Sequence, residues 1–177
     1  MGGALPPING QFDAIGTQYG TSVTKLQQTI NVPNGIFSAS LTWNDRVRNF
    51  AGQFGPNPDQ AWRGLILDTT GALLQEVFST NPGDTLLQVG PNSRSGDITA
   101  VLQDYAGQTV VVSFETQATF YYLTTAVDDI KLLVSTLPAD MDECKDQGWS
   151  TFVNVNTGKE IFKNQGDCVS FVATKGK

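Results

Sequence analysis

The sequence predicts an all-β fold, an antiparallel β-sandwich or barrel, on the strength of three observations. Short stretches alternate apolar and polar residues, as expected for strands with one buried face. Turn signals rich in Gly, Pro and Asn separate these stretches, for example at residues 33–35, 57–59 and 81–84. Helical periodicity is weak, and its one candidate is a short element over residues 97–105. Many short strands and few helices are typical of a sandwich or barrel.

The predicted strands follow one another along the chain. They are 26–32, 37–48, 62–68, 72–78, 110–114, 120–123 and 130–134. The second has the clearest pattern, because its odd positions from Phe37 to Val47 form one face that includes Trp43, a predicted core residue. Arg46 and Arg48 lie on its polar face. The third and fourth flank Thr69-Thr70-Gly71 and predict a hairpin.

The chain divides into three predicted parts. Residues 1–11 form a Pro/Gly-rich lead-in, expected to be a linker remnant without the charged and apolar regions of a signal peptide. Residues 12–137 form the sandwich, and residues 138–177 form a C-terminal appendage bracketed by two cysteines. Of 177 residues, 40% are hydrophobic, which suffices for a core.

Charge and residue usage exclude several function classes. The net charge is −6 and the 11 Lys and Arg residues are scattered, so nucleic acid is a poor partner. Histidine is absent, which removes His-based triads and most zinc sites. No apolar run reaches the roughly 18 residues of a membrane span. No catalytic or cofactor motif is present, and we expect no enzyme, although an arrangement of two carboxylates remains open because sequence cannot show their separation.

Cys144 and Cys168 are the only cysteines. Their spacing is not that of a redox or zinc motif, so the expected use is a disulfide, with two buried free thiols as the alternative. A disulfide implies an oxidising compartment, and hence a secreted or cell-surface protein.

Two segments resemble linked motifs of a known family. Residues 96–115 contain Tyr105-Ala106-Gly107-Gln108-Thr109-Val110, and Val127-Asp128-Asp129-Ile130-Lys131-Leu132 follows. Together they resemble the galactose-binding-like jelly-roll modules of secreted bacterial proteins, which include carbohydrate-binding modules. The opening Phe12-Asp13 is similar to the first strand of those modules. The resemblance covers residues 12–134 and implies a jelly roll, while the tail around Trp149 and Cys168 resembles a short C-terminal segment of secreted bacterial proteins.

The resemblance also implies a structural calcium between the loop of the first strand and the last strand. It places Asp13 and one of Asp128 or Asp129 there as metal ligands. Adjacent residues on a strand point to opposite faces, so only one of the two aspartates is expected to point inward. Ion pairing, turn capping or plain solvation are the alternatives to calcium, since sequence shows only part of a calcium site.

Four residues are candidate ligand contacts. Trp62 follows a turn, and one of the adjacent residues Tyr121 and Tyr122 should face solvent from its predicted strand, with Tyr122 as the candidate. Either Trp62 or that tyrosine could stack on a sugar. Arg46 and Arg63 could bind carboxylated or sulfated sugars. Alternatively, they could lie on solvated faces and form cross-strand ion pairs with Asp or Glu.

Two functions share the predicted fold. The first is a non-catalytic extracellular binding module whose partner is a polysaccharide or other glycan. The alternative is a structural or adhesive surface domain, or a self-associating protomer of an extracellular assembly, without glycan binding.

Overall fold

The computed structural model describes residues 6–56 and 59–174, and it is an antiparallel β-sandwich. The predicted fold class is therefore confirmed. Nine strands and two α-helices form the described part of the chain. The strands are β1 Ala14–Gln18, β2 Ser22–Asn31, β3 Ile36–Asn49, β4 Gly55–Pro56, β5 Asp59–Leu67, β6 Leu73–Ser79, β7 Leu87–Asp97, β8 Thr109–Ala118 and β9 Leu123–Thr136, and the helices are α1 Thr99–Asp104 and α2 Gln165–Thr174.

The strands form two sheets in jelly-roll order. The first sheet has the order β1-β9-β3-β7, and the second has β2-β8-β5 with β4 and β6 both pairing with β5. The chain therefore passes from one sheet to the other after β1, β2, β3, β6, β7 and β8. The register pairs Gly16 with Thr125 in the first sheet, and Phe114 with both Leu26 and Gly64 in the second.

The described residues fall into two compact units. One comprises those of Met1–Asn31, Leu41–Gly96 and Thr109–Lys131, and the other those of Val32–Ser40, Asp97–Gln108 and Leu132–Lys177. Each unit is assembled from several stretches of the chain. The three-part division drawn from the sequence, 1–11, 12–137 and 138–177, therefore stays a prediction.

The core of the first unit follows from strand alternation. In β3, Leu41, Trp43 and Val47 are buried, as the alternating pattern predicts. Phe114 of β8 packs against Trp43 with ring centroids 5.2 Å apart, and Gly64 lets β5 approach the Trp43 ring closely. The even positions of β3 beyond Leu41 thus lie on the outer face of the first sheet.

The second unit contains the C-terminal appendage. Cys144 and Cys168 form the predicted disulfide, and Phe162 is buried with them. Two short 3-10 helices, Asp142–Cys144 and Gly148–Thr151, precede α2. Trp149 packs half-buried against this cluster.

Two expectations for strands were wrong. Residues 120–123 and 130–134 were predicted as separate strands, but β9 is continuous from Leu123 to Thr136, and residues 120–122 belong to its connection with β8. The alternation that sequence reasoning relied on is broken at Asp129, whose φ of 53° is left-handed. β7 was missed because its many polar residues hide the alternation.

No helix in residues 6–56 or 59–174 has the length and apolar character to cross a membrane.

Candidate functional site

Four exposed aromatic side chains form a cluster where β1 turns into β2 and β8 connects to β9. This aromatic cluster consists of Tyr19, Phe120, Tyr121 and Tyr122, whose exposed fractions lie between 43% and 63%. The ring of Tyr19 lies 4.6 Å from that of Tyr122 and 5.9 Å from that of Tyr121. Tyr121 also contacts Phe120 at 6.3 Å and Tyr122 at 5.5 Å. Exposed rings that contact one another in this way are unusual on a surface, so this cluster is the candidate binding site.

The two loops that carry the rings are tied to each other and to a buried amide. The Thr21 hydroxyl donates to the carbonyl of Thr119 at 3.4 Å. The Thr119 N–H donates to Oε1 of Gln60 at 2.8 Å, and Nε2 of Gln60 donates to the Tyr121 carbonyl at 3.4 Å. Gln60 is fully buried. Because its amide is bonded at both ends, it holds the connection of Phe120, Tyr121 and Tyr122 in one position.

Arg48 of β3 and Phe50, which follows that strand, extend this surface. The Phe50 N–H donates to the Tyr122 carbonyl at 2.9 Å, and the Phe50 ring is exposed. The guanidinium of Arg48 lies over that ring, 5.4 Å from its centroid. Inward-facing Val47 and Asn49 flank Arg48, so strand alternation places it on the outer face of the first sheet. A positive charge therefore lies beside the aromatic cluster.

The segments around the rings offer neutral polar groups. Residues 18–22, 49–54 and 118–124 contain no charged residue, and they include Gln18, Thr21, Gln53 and Thr124. Amides and hydroxyls both donate and accept hydrogen bonds, as a ligand rich in hydroxyl groups requires.

Trp62 is not on the surface. It is 2% exposed and its ring stacks on Phe114 at 5.7 Å, so its faces are not open to a sugar, contrary to the expected surface stacking. The physical reason is strand parity: Trp62 shares the inward face of β5 with Gly64 and Ile66.

A buried carboxylate holds both core tryptophans. Oδ2 of Asp45, which is fully buried, accepts the indole N–H of Trp43 and that of Trp62, each at 3.0 Å. Nδ2 of Asn92 donates to Oδ1 at 2.9 Å, and Nε of Arg94 lies 3.2 Å from Oδ2. A buried charge needs such partners, and this Asp45 node has them from four side chains.

The two predicted arginines have different surroundings. Arg63 lies on the outer face of the second sheet, 3.9 Å from a carboxylate oxygen of Glu76, while Glu115 beside it pairs with Lys25 at 2.9 Å. Arg46 is 8% exposed, and its guanidinium donates to the carbonyl of Pro6. Its burial leaves it less accessible than expected of a ligand contact. Tyr122, the remaining candidate, belongs to the aromatic cluster.

The predicted metal ligands do not form a group of three. Asp128 Oδ2 accepts the Asn9 N–H at 3.1 Å, and Asp129 Oδ2 accepts Nδ2 of Asn44 at 2.9 Å. Contrary to expectation, neither aspartate is buried, because the left-handed backbone at Asp129 ends the alternation. Within the described residues no three His, Cys, Asp or Glu side chains could hold a metal ion. The side chains of Asp13, Asp128 and Asp129 thus do not by themselves fit calcium, which stays a prediction dependent on backbone carbonyls.

A polar cleft of about 340 Å³ lies next to Asp129. Asn44 bridges its walls, accepting from the Ser93 hydroxyl at 2.8 Å and donating to Asp129. Lys131 also lines it. Asn44, Ser93 and Asp129 already bond to one another, so this cleft is a weaker candidate than the aromatic cluster.

Sequence reasoning missed Tyr19 and Phe120 and singled out only Tyr122. The signal was the run Phe120-Tyr121-Tyr122, in which three bulky rings in succession cannot all be buried by a strand that alternates. The contact with Tyr19 depends on the antiparallel pairing of β1 with β9, in which Gln18 faces Leu123.

No family model and no curated protein matches the chain. Among solved structures, the chain is similar to one described as "CBM4 structure and function", with 13% identity and a TM-score of 0.46 over 69% of this chain and 83% of that one. It is also similar to one described as "Structural basis for the promiscuous specificity of the carbohydrate-binding modules from the beta-sandwich super family", with 16% identity and a TM-score of 0.43 over 66% of this chain and 44% of that one.

Proposed function

We propose that the protein is a non-catalytic binding module for a carbohydrate and that the aromatic cluster is its binding surface. The observation that carries this proposal is the exposed, mutually contacting set of Tyr19, Phe120, Tyr121 and Tyr122. Sugar rings present apolar C–H faces that pack on aromatic rings, and their hydroxyls bond to amides and hydroxyls at the rim. The uncharged polar segments around the cluster provide that rim.

The geometry of the rings narrows the form of the carbohydrate. The rings of Tyr19 and Tyr122 are inclined by 42°, and those of Tyr121 and Tyr122 by 74°. Rings so inclined cannot form one flat strip, and therefore they do not match a flat crystalline polysaccharide surface. They suit a curved, soluble chain or a chain end.

A binding role without catalysis agrees with the chemistry of the cluster. The chain has no histidine, and the four rings contribute only phenol hydroxyls as titratable groups. A phenol hydroxyl is a poor general acid or base at neutral pH. The disulfide between Cys144 and Cys168 supports an extracellular location, because such bonds persist in oxidising compartments.

The proposal is tested with a panel of soluble polysaccharides in affinity electrophoresis, followed by calorimetry on those that bind. Tyr19→Ala and Tyr122→Ala should each weaken binding roughly tenfold or more, as truncation of a central aromatic contact does. Phe12→Ala is the matched control, because Phe12 is 83% exposed but precedes β1, at the opposite end of that strand from Tyr19. Its affinity should equal that of the wild type.

The structural or adhesive alternative makes a different prediction for the same variants. An exposed apolar cluster could pair between copies of the chain. Sedimentation analysis that shows self-association, abolished by Tyr19→Ala, together with no binding across the panel, would overturn the carbohydrate proposal in favour of that alternative.

A further inference from the structure

An unpaired guanidinium lies beside the aromatic cluster. The chain has four arginines; Arg94 is paired with Asp45 and Arg63 lies near Glu76. Arg48 has its contact with the Phe50 ring, and the structure gives it no hydrogen bond or ion pair to any described residue. Its Nε is buried and lacks an acceptor. A buried guanidinium N–H without an acceptor carries a desolvation cost, which an acceptor on a ligand would offset.

Arg46 repeats this pattern two residues earlier on the same face of β3. It is 8% exposed, its Nε also lacks an acceptor among residues 6–56 and 59–174, and its one hydrogen bond goes to the neutral carbonyl of Pro6. Neither arginine thus has its charge balanced by a carboxylate of the described chain. Two like charges on one strand face repel each other, and the structure tolerates this without a described counter-charge.

The Phe50 ring also favours one orientation of the Arg48 guanidinium. That guanidinium lies over Phe50, whose backbone N–H is bonded to Tyr122 at 2.9 Å. The planar fork of an arginine recognises a carboxylate or a sulfate by two parallel hydrogen bonds, and ordering it in advance lowers the entropy lost on binding. A ligand stacked on Tyr122 could extend along the outer face of β3 to this fork.

We propose that the carbohydrate bound by the aromatic cluster carries an anionic group, a carboxylate or a sulfate ester, which Arg48 binds and which Arg46 attracts by its charge. This inference rests on the proposed function and specifies its ligand class. It assigns the recognition of charge to Arg48 on β3 instead of to Arg63 on the opposite sheet.

The test compares polymers that share a backbone and differ in charge. Polygalacturonate against its fully methyl-esterified form isolates the carboxylate, and a sulfated galactan against its desulfated form isolates the sulfate. Binding to at least one charged polymer should exceed that to its neutral counterpart about tenfold or more, and the preference should shrink as salt rises from about 50 to 500 mM.

Variants then identify which arginine recognises the anionic group of the polymer. Arg48→Gln should remove the preference for the charged polymer while binding to the neutral polymer persists, and Arg48→Lys should retain only part of it because lysine lacks the fork. Arg63→Gln, which changes an arginine of the other sheet, should leave the preference intact. Unfolding curves check that each variant is folded, which we expect because Arg48 makes no hydrogen bond within the described structure.

The outcomes separate the two proposals. Equal binding to charged and neutral polymers, or a preference that survives Arg48→Gln, would overturn the anionic ligand and leave the carbohydrate proposal standing. Absence of binding to every polymer would overturn both.

Discussion

The tryptophans of the first unit and the tyrosines of the aromatic cluster are similar aromatic residues in opposite surroundings, one set in the core and the other at the surface. Trp43 and Trp62 are buried and donate their N–H groups to Asp45, so their polar atoms serve the fold. Tyr19 and Tyr122 are exposed, and their rings contact one another at the surface. The tryptophans lie within strands, whose alternation turns them inward, whereas the tyrosines lie in connections, where no such alternation applies. Position in a strand or a loop, more than residue type, decides which rings are available to a ligand.

The largest expected effect follows from breaking the Asp45 node. Asp45→Ala should lower the free energy of unfolding by about 3–5 kcal/mol, because it leaves the Arg94 charge and two indole N–H groups without their acceptor. Urea unfolding measures the loss. Asp104→Ala, at an exposed carboxylate of α1, serves as the control and should change stability by no more than about 0.5 kcal/mol. A cost below about 1 kcal/mol for Asp45→Ala would mean that the node does not stabilise the sandwich.

An intermediate effect is expected from calcium, which we propose binds near Asp128 through backbone carbonyls and that carboxylate. A ligand of the folded state present at 100 times its Kd adds about 2.7 kcal/mol of stability, or about 5–10 °C in Tm for a chain of this size. Chelation should therefore lower the Tm of the wild type, and Asp128→Asn should abolish the response to calcium. If the Tm is the same with calcium and with chelator, the proposal that calcium binds is wrong. Asp128 would then serve only as the acceptor of the Asn9 N–H.

The smallest effect concerns Asp97, an exposed carboxylate that contrasts with the buried Asp45. The side-chain and backbone hydrogen bonds from Thr99 hold the pKa of Asp97 below its ordinary value of 3.8, with a smaller contribution from Asn156. A depressed folded pKa means that the stabilisation is complete above the unfolded pKa and is lost as pH falls through the folded pKa.

Asp97→Asn should consequently destabilise the protein at neutral pH and make progressively less difference as pH falls below about 4. Thermal unfolding of the two proteins between about pH 7 and pH 2.5 measures the change. If the gap in Tm were constant over this range, titration of Asp97 would not contribute to acid unfolding.

The sequence predicted the sandwich and the disulfide, because alternation in β3 and the presence of just two cysteines are local signals. Trp62 was wrongly expected at the surface because a turn precedes it. Its position two and four residues before Gly64 and Ile66 places it on the same, inward face of the strand. The aromatic cluster could not be predicted in full, because it depends on two connections meeting through strand pairing. Asp45 on the apolar face of β3 was a signal for a buried polar partner, but three of its four partners come from two other strands, β5 and β7.

The burial of Trp43 and Trp62 has a consequence for how the protein can be observed. Their emission will report on the packing of the first unit, and that of Trp149 on the surroundings of the disulfide, so tryptophan fluorescence should follow unfolding faithfully. The rings of the aromatic cluster are tyrosines and a phenylalanine, which are weak emitters beside indole. A saturating carbohydrate would then leave the tryptophan spectrum almost unchanged, and a silent fluorescence titration of this protein would not indicate that binding had failed.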